Sequence, residues 1–146
     1  AGVEVEEFDA LRTPSHIEGL LSGEAVMWCD VLKPFTAKVL CTYSDKYYRG
    51  RAAITVNQFG KGRVYYVGCD LDQGAVKELV RYISGAANIC IPEIPEGVEL
   101  VNRKNCRILL NYNDFQVQIS LKGRSLITNR EFEGILPPYG VEFLER

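Results

Sequence analysis

The sequence predicts an α+β chain that is mainly β, strand-rich with one packed helix and then a small antiparallel β domain. Three observations predict this. Short apolar runs separated by turn residues recur between Ala25 and Val67. Only Gln73 to Ala86 carries apolar residues at helical spacing. After a proline-rich break, about six short strand patterns follow in about 50 residues, which indicates a small antiparallel sandwich or barrel.

Residues 1–23 read as irregular. Val3, Val5 and Phe8 alternate with Glu4, Glu6 and Glu7, which suits a brief strand or an extended arm. Thr13-Pro14-Ser15 breaks the pattern, and Ile17, Leu20 and Leu21 suggest one helical turn before Ser22-Gly23. Ala25 to Cys29 is a short apolar strand, separated by Pro34 from a second over Ala37–Tyr43. Ser44-Asp45-Lys46 and Gly50 supply turn chemistry, and Ala52–Val56 is the third strand.

Gly60 to Asp72 is the most informative stretch. Gly60-Lys61-Gly62 makes a tight connection into Val64-Tyr65-Tyr66-Val67, a strand apolar on both faces that ends at Gly68. Asp70 and Asp72 then open the helix. Asp72 is the N-cap candidate, and Gly85 lies near the expected stop. Val76, Leu79, Val80 and Ile83 follow i, i+3, i+4, i+7 spacing, so this face is expected to pack while Lys77, Glu78 and Arg81 meet water.

The segment from Cys90 to Gly97 reads as a linker, because Pro92 and Pro95 are incompatible with helix and central strand alike. The strand patterns after it are Val98–Val101, Cys106–Leu110, Phe115–Leu121, Ser125–Thr128, Phe132–Leu136 and Val141–Leu144. Turns at Asn113-Asp114, Lys122-Gly123 and Pro137–Gly140 separate the later ones.

Composition narrows the function. The 146 residues suffice for one ordinary domain or two small ones, with 47% hydrophobic and 25% charged residues, a folded-protein profile. A net charge of −2 without basic clustering argues against nucleic acid. No apolar run approaches bilayer-spanning length, so no membrane association is expected. The chain opens Ala1-Gly2-Val3-Glu4, with neither an initiator Met nor a signal pattern, and is expected to be a piece of something longer. Cys29, Cys41, Cys69, Cys90 and Cys106 lack Cys-x-x-Cys spacing, and His16 is the only histidine. This speaks against zinc and for small buried thiols in a reducing cytoplasm.

Several residue groups could carry chemistry. Gly68 before a helix suggests phosphate binding, but no Gly-x-Gly-x-x-Gly or Walker pattern is present, and Asp70 and Asp72 would repel phosphate. Cys69 near a helix N-terminus, with His16 as the one available base, suggests a thiol hydrolase, against which buried packing explains Cys69 equally well. Glu4, Glu6 and Glu7 form an acidic cluster that reads as a solvated edge rather than a glycosidase pair. Trp28, Tyr43, Tyr47, Tyr48, Tyr65 and Tyr66 could form a sugar platform, although core or subunit-interface packing is the more usual fate of such residues.

Four segments in order carry a resemblance. Gly2–Asp9 resembles the GVxVEEFD segment of bacterial β-galactosidases of glycoside hydrolase family forty-two. Trp28-Cys29-Asp30 with Leu32 resembles their following W-x-D-x-L strand. Ala53–Gly62 with Val64–Gly68 looks like their AVTxNxxGxGxxYYVG signature. Pro95–Glu99, Arg103 and Leu110-Asn111 look like the P-x-GVE…R…LN entry to the C-terminal domain. Val56 stands where that signature often has a basic residue, and Gln58 where an acid is common.

The resemblance implies a parent with a TIM-barrel catalytic domain, a trimerisation domain of glutamine-amidotransferase-like (flavodoxin-like) fold and a C-terminal β domain. Residues 1–91 would be the later part of the trimerisation domain, 92–97 the linker and 98–146 the C-terminal antiparallel β domain, a small β-sandwich. The barrel with both catalytic glutamates is not in this sequence, and the family's Asn-Glu acid/base dipeptide does not occur in it. No catalytic, cofactor-binding or metal-ligating residue is therefore assigned, and no cofactor is expected. The implied role is non-catalytic support of subunit assembly in a retaining β-galactosidase. Its partners would be its own barrel and neighbouring subunits of a homo-oligomer, a trimer in the parent, with galactoside met only through the parent. A carbohydrate-binding accessory β module is the alternative.

Overall fold

A computed structural model describes all residues, 1–146, and the chain divides into two compact units, Ala1–Cys90 and Ile91–Arg146. In the first, seven strands join in one sheet: β1 (Val3–Ala10), β2 (Ser15–Gly19), β3 (Gly23–Pro34), β4 (Lys38–Tyr43), β5 (Ala52–Phe59), β6 (Gly62–Val67) and β7 (Cys69–Leu71). Every pairing is antiparallel.

The long strand β3 organises the unit. It pairs with β2 at its start, with β7 along its middle and with β1 and β5 toward its end. Because β2 also pairs with β4, and β4 with β5, the pairings β3–β2–β4–β5–β3 close a circuit. Inside lie Ile17, Ala25, Cys29, Val31, Cys41, Tyr43, Tyr48 and Ile54, joined by Ala75 and Leu79 of the helix. The Ala52–Thr55 run of β5 is fully buried, as expected for a strand with neighbours on both sides. Strands β1 and β6 end the sheet order.

Several sequence expectations need correction. The segment expected as a brief strand or an extended arm is a strand, and not a brief one: β1 runs eight residues, paired along β3. Ile17 sits not in a helical turn but in β2, buried between β3 and β4, because pairing on both sides outweighs local spacing. The Ala25–Cys29 strand runs on to Pro34, which can close a strand although it cannot lie in a central one. Strand β6 is not buried on both faces; it is a sheet edge with Val64 exposed. Three residues after Gly68 form the unexpected β7 before the helix begins.

Helix α1 (Gln73–Ala86) is capped by Asp72 as expected, but its packed face is rotated. Ala75 and Leu79 are buried and Ile83 packs against them, whereas Val76 and Val80 are 43% and 45% exposed. The helix stops at Ala86, beside Gly85 as expected, with its cap at Ala87, and Asn88 takes the left-handed conformation with φ 55°.

The second unit holds a three-stranded sheet ordered β12-β9-β8, from β8 (Val98–Asn102), β9 (Cys106–Asn111) and β12 (Val141–Glu145). A two-residue pair joins β10 (Val117–Gln118) to β11 (Ile135–Leu136). All are antiparallel. Leu109, Val117, Ile119, Leu136 and Leu144 form its core. The alternation over 115–121 survives as burial of Val117 and Ile119, though the hydrogen-bonded ladder covers only two residues. Instead of a strand over 125–128, Ser125 makes a single antiparallel bridge to Leu144 and 126–128 form a turn. The buried Ser125 hydroxyl accepts from the amides of Ile127 (3.2 Å) and Thr128 (3.0 Å) and donates to Glu142 Oε1 (2.7 Å), so it takes the amides that a continuing ladder would need.

Candidate assembly surface

The structure separates the two residues of the thiol-hydrolase idea. In β2, Ser15 and Ile17 face the core and His16 between them is exposed, with its Nδ1 3.4 Å from Glu24. Cys69 is buried, and burial pushes its thiol up to about 12. A thiol held protonated at neutral pH and turned away from the only imidazole is not a nucleophile while β7 stays paired. Asp72 is fully engaged as a cap. Its Oδ1 accepts from the amides of Gly74 (2.8 Å) and Ala75 (3.1 Å), and its Oδ2 from the amide of Glu24 (2.6 Å). Those amides are therefore occupied by a carboxylate from the chain itself.

The acidic cluster on β1 is tied to its own unit. Glu6 pairs with Arg51 and lies 3.5 Å from Lys33, and the Arg51 guanidinium holds its carboxyl below the usual range. Glu7 accepts from the Tyr47 hydroxyl at 2.7 Å. Among the aromatics, Tyr43 and Tyr48 are core residues in edge contact at 4.9 Å, and Tyr66 donates to Asp30 Oδ2 at 2.9 Å. Tyr47 meets Tyr48 edge to face, as Tyr65 meets Tyr82 of α1. Of the six aromatics considered for a sugar platform, only Trp28 and Tyr47 stay broadly exposed.

What remains open is a sheet face. In the β1–β3 register, Phe8 lies opposite Asp30 and Ala10 opposite Trp28, so the four share one face. Phe8 is 76% and Trp28 41% exposed there, while Cys29 and Val31 on the other face are buried. Strand β1 also offers an unpaired edge beside this face. The sequence places Phe8 in a brief strand or an extended arm, without showing which face it joins. Its alternation with the glutamates was the available signal, and what hid it was the missing partner strand.

At the other end of the sheet, a groove of about 430 Å³ is lined by Lys38, Asn57, Gln58, Arg63, Tyr65 and Tyr82 among others. Lys38, Val56 and Tyr65 stand side by side on β4, β5 and β6, and Gln58 faces Arg63. No sequence pattern links these residues, because only the strand register assembles them. No helix is long and apolar enough to cross a membrane.

The comparisons bear on this unit directly. The family model described as the β-galactosidase trimerisation domain matches residues 1–90. The β-galactosidase BgaA of Clostridium cellulovorans is 34% identical over 158 residues, covering 99% of this chain and 24% of that protein. The β-galactosidase BglY of Alicyclobacillus acidocaldarius is 31% identical over 168 residues, covering 100% of this chain and 24% of that protein. Among solved structures, the β-galactosidase from Bacillus circulans sp. alkalophilus superposes with a TM-score of 0.86 at 29% identity, over 99% of this chain and 24% of its own. The one from Rahnella sp. R3 gives a TM-score of 0.81 at 28% identity, over 99% and 24%. The chain thus spans about a quarter of the length of these relatives. The match over residues 1–90 shows the family: the chain belongs to the β-galactosidase trimerisation domain family of glycoside hydrolase family forty-two.

Proposed function

We propose that this chain is the non-catalytic assembly region of a β-galactosidase, holding neighbouring subunits together while a catalytic barrel elsewhere in the protein hydrolyses terminal β-D-galactosides with retention. The observation that carries it is the face of β1 and β3, where Phe8 and Trp28 stand exposed within the residues matched by the trimerisation domain. Large apolar side chains grouped on a sheet face beside an open edge are the usual makings of a subunit contact. The partners on this reading are the protein's own barrel and its neighbouring subunits in a homotrimer, with galactoside bound only by the barrel.

The proposal extends to organisation. Residues 1–91 are the later, antiparallel part of a glutamine-amidotransferase-like (flavodoxin-like) trimerisation domain, 92–97 a linker and 98–146 a C-terminal β-sandwich domain. A cytoplasmic setting fits five cysteines that are all unbridged. The decisive experiment has two arms. The purified chain should leave a chromogenic β-galactoside uncleaved above a matched blank, and light scattering should show it associating. Cleavage by the chain alone would overturn the non-catalytic reading, and a strictly monomeric chain would remove the assembly role.

A second reading has its own observation. In the second unit Tyr112, Phe115 and Tyr139 are all exposed, as on a sugar-stacking module. Calorimetry with galactose and galacto-oligosaccharides separates the two: saturable heat supports the module, and none leaves assembly alone.

A further inference from the structure

Cys29 and Cys69 are register partners across β3 and β7. The backbone shows which kind of pair they make. The amide of Asp30 donates to the Gly68 carbonyl at 2.6 Å, so the hydrogen bond joins the residue after Cys29 to the residue before Cys69. That pattern defines a non-hydrogen-bonded antiparallel pair, in which the Cα atoms stand about 4.5 Å apart and the side chains lie closest. The separation falls within the roughly 4.4–6.8 Å over which disulfides form. Both side chains point into the same core, and both are free thiols. Tyr43 brackets them, its hydroxyl donating to the Asp30 carbonyl at 3.1 Å and the Gly68 carbonyl at 2.9 Å.

We propose that Cys29 and Cys69 are a modification site, a cross-strand thiol pair that closes to an intrachain disulfide on exposure to a small-molecule disulfide such as oxidised glutathione. One deprotonated cysteine attacks a glutathione sulfur, breaks that S–S bond and releases one glutathione. The second cysteine then attacks the protein sulfur of the mixed disulfide and releases the other glutathione. Two protein thiols and one oxidised glutathione become one protein disulfide and two reduced glutathiones, which carry away the two protons. Cys69 is the entry point, because β7 has three residues and pairs only with β3. Burial holds both thiols protonated in the closed state, so the reaction proceeds through local opening of β7. Cys41 is also buried, but it lies on β4 and its Sγ is turned to the Leu21 carbonyl at 3.8 Å.

The test uses the full chain with Cys90→Ser and Cys106→Ser, which removes the two thiols outside the buried core. It is incubated with oxidised glutathione in urea below the unfolding midpoint, alkylated and mapped by mass spectrometry. The expected product links Cys29 to Cys69, is lighter by two hydrogens and keeps one alkylatable thiol, Cys41. Adding Cys41→Ala leaves the link intact, and adding Cys69→Ala abolishes it. A link involving Cys41, a persistent glutathione adduct without a protein link, or five-fold longer exposure without loss of thiols would each overturn the proposal. Far-UV circular dichroism after urea removal, unchanged from the reduced chain, confirms that the link formed in the native pairing.

Discussion

Asp72 and Tyr43 each tie several segments together through one side chain. Both Asp72 oxygens are used, one on the first turn of α1 and one on the Glu24 amide at the start of β3. Asp72→Ala removes the cap and leaves these donors unpaired, at a cost of about 1–2 kcal/mol read from urea unfolding. These same hydrogen bonds hold the Asp72 carboxyl below its usual range. The stabilisation is therefore present above the unfolded-state value and fades as pH falls through the lower folded-state value. The gap between wild type and Asp72→Ala should be full at pH 7 and shrink below about pH 4. Tyr43→Phe deletes a fully buried hydroxyl that serves two carbonyls. It should lower stability by about 1–1.5 kcal/mol with an unchanged urea m-value. Asp72 was legible as a cap because its chemistry is local. The Tyr43 bonds were not, because their acceptors lie 13 and 25 residues away along the chain.

Helix α1 shows where periodicity stops being informative at the scale of an element. Hydrophobic spacing put Val76 and Val80 on the packed face, yet the chain buries Ala75 and Leu79. The cause is close approach to β3. A Cβ placed on Gly23 would come within 2.6 Å of the Ala75 Cβ and 2.7 Å of Asp72 Oδ2. A strand that near the helix admits a small residue and excludes a valine, so size rather than hydrophobicity sets the face. Leu79→Ala should cost about 2–4 kcal/mol, whereas Val80→Lys should stay within about 0.5 kcal/mol in the unassociated chain. Comparable losses at both positions would sink the rotated face. The acidic strand β1 was half legible for a related reason. Its alternation was visible, but its partners Lys33, Tyr47 and Arg51 come from distant segments and only the fold brings them to Glu6 and Glu7.

For the whole molecule, the sequence patterns mark which residues are strands, and pairing decides which of them remain on the surface. Antiparallel order puts β1 at one end of the sheet, beside the Phe8 and Trp28 face, and β6 at the other, beside a groove carrying Lys38 and Arg63. If subunits meet on the β1–β3 face, the two aromatics supply much of the contact. Burying about 100 Å² of apolar surface on each contributes about 2.5 kcal/mol per side chain, and each 1.4 kcal/mol is about tenfold in affinity. Phe8→Lys combined with Trp28→Lys should therefore weaken self-association by a hundredfold or more in sedimentation velocity. Both side chains are exposed in the isolated unit, so its circular dichroism and urea midpoint should change little. Lys38→Ala with Arg63→Ala, at the opposite end of the sheet, is the matched control. If the control pair weakened association and the aromatic pair did not, the contact would move to the groove, and the open edge to consider would be β6 rather than β1.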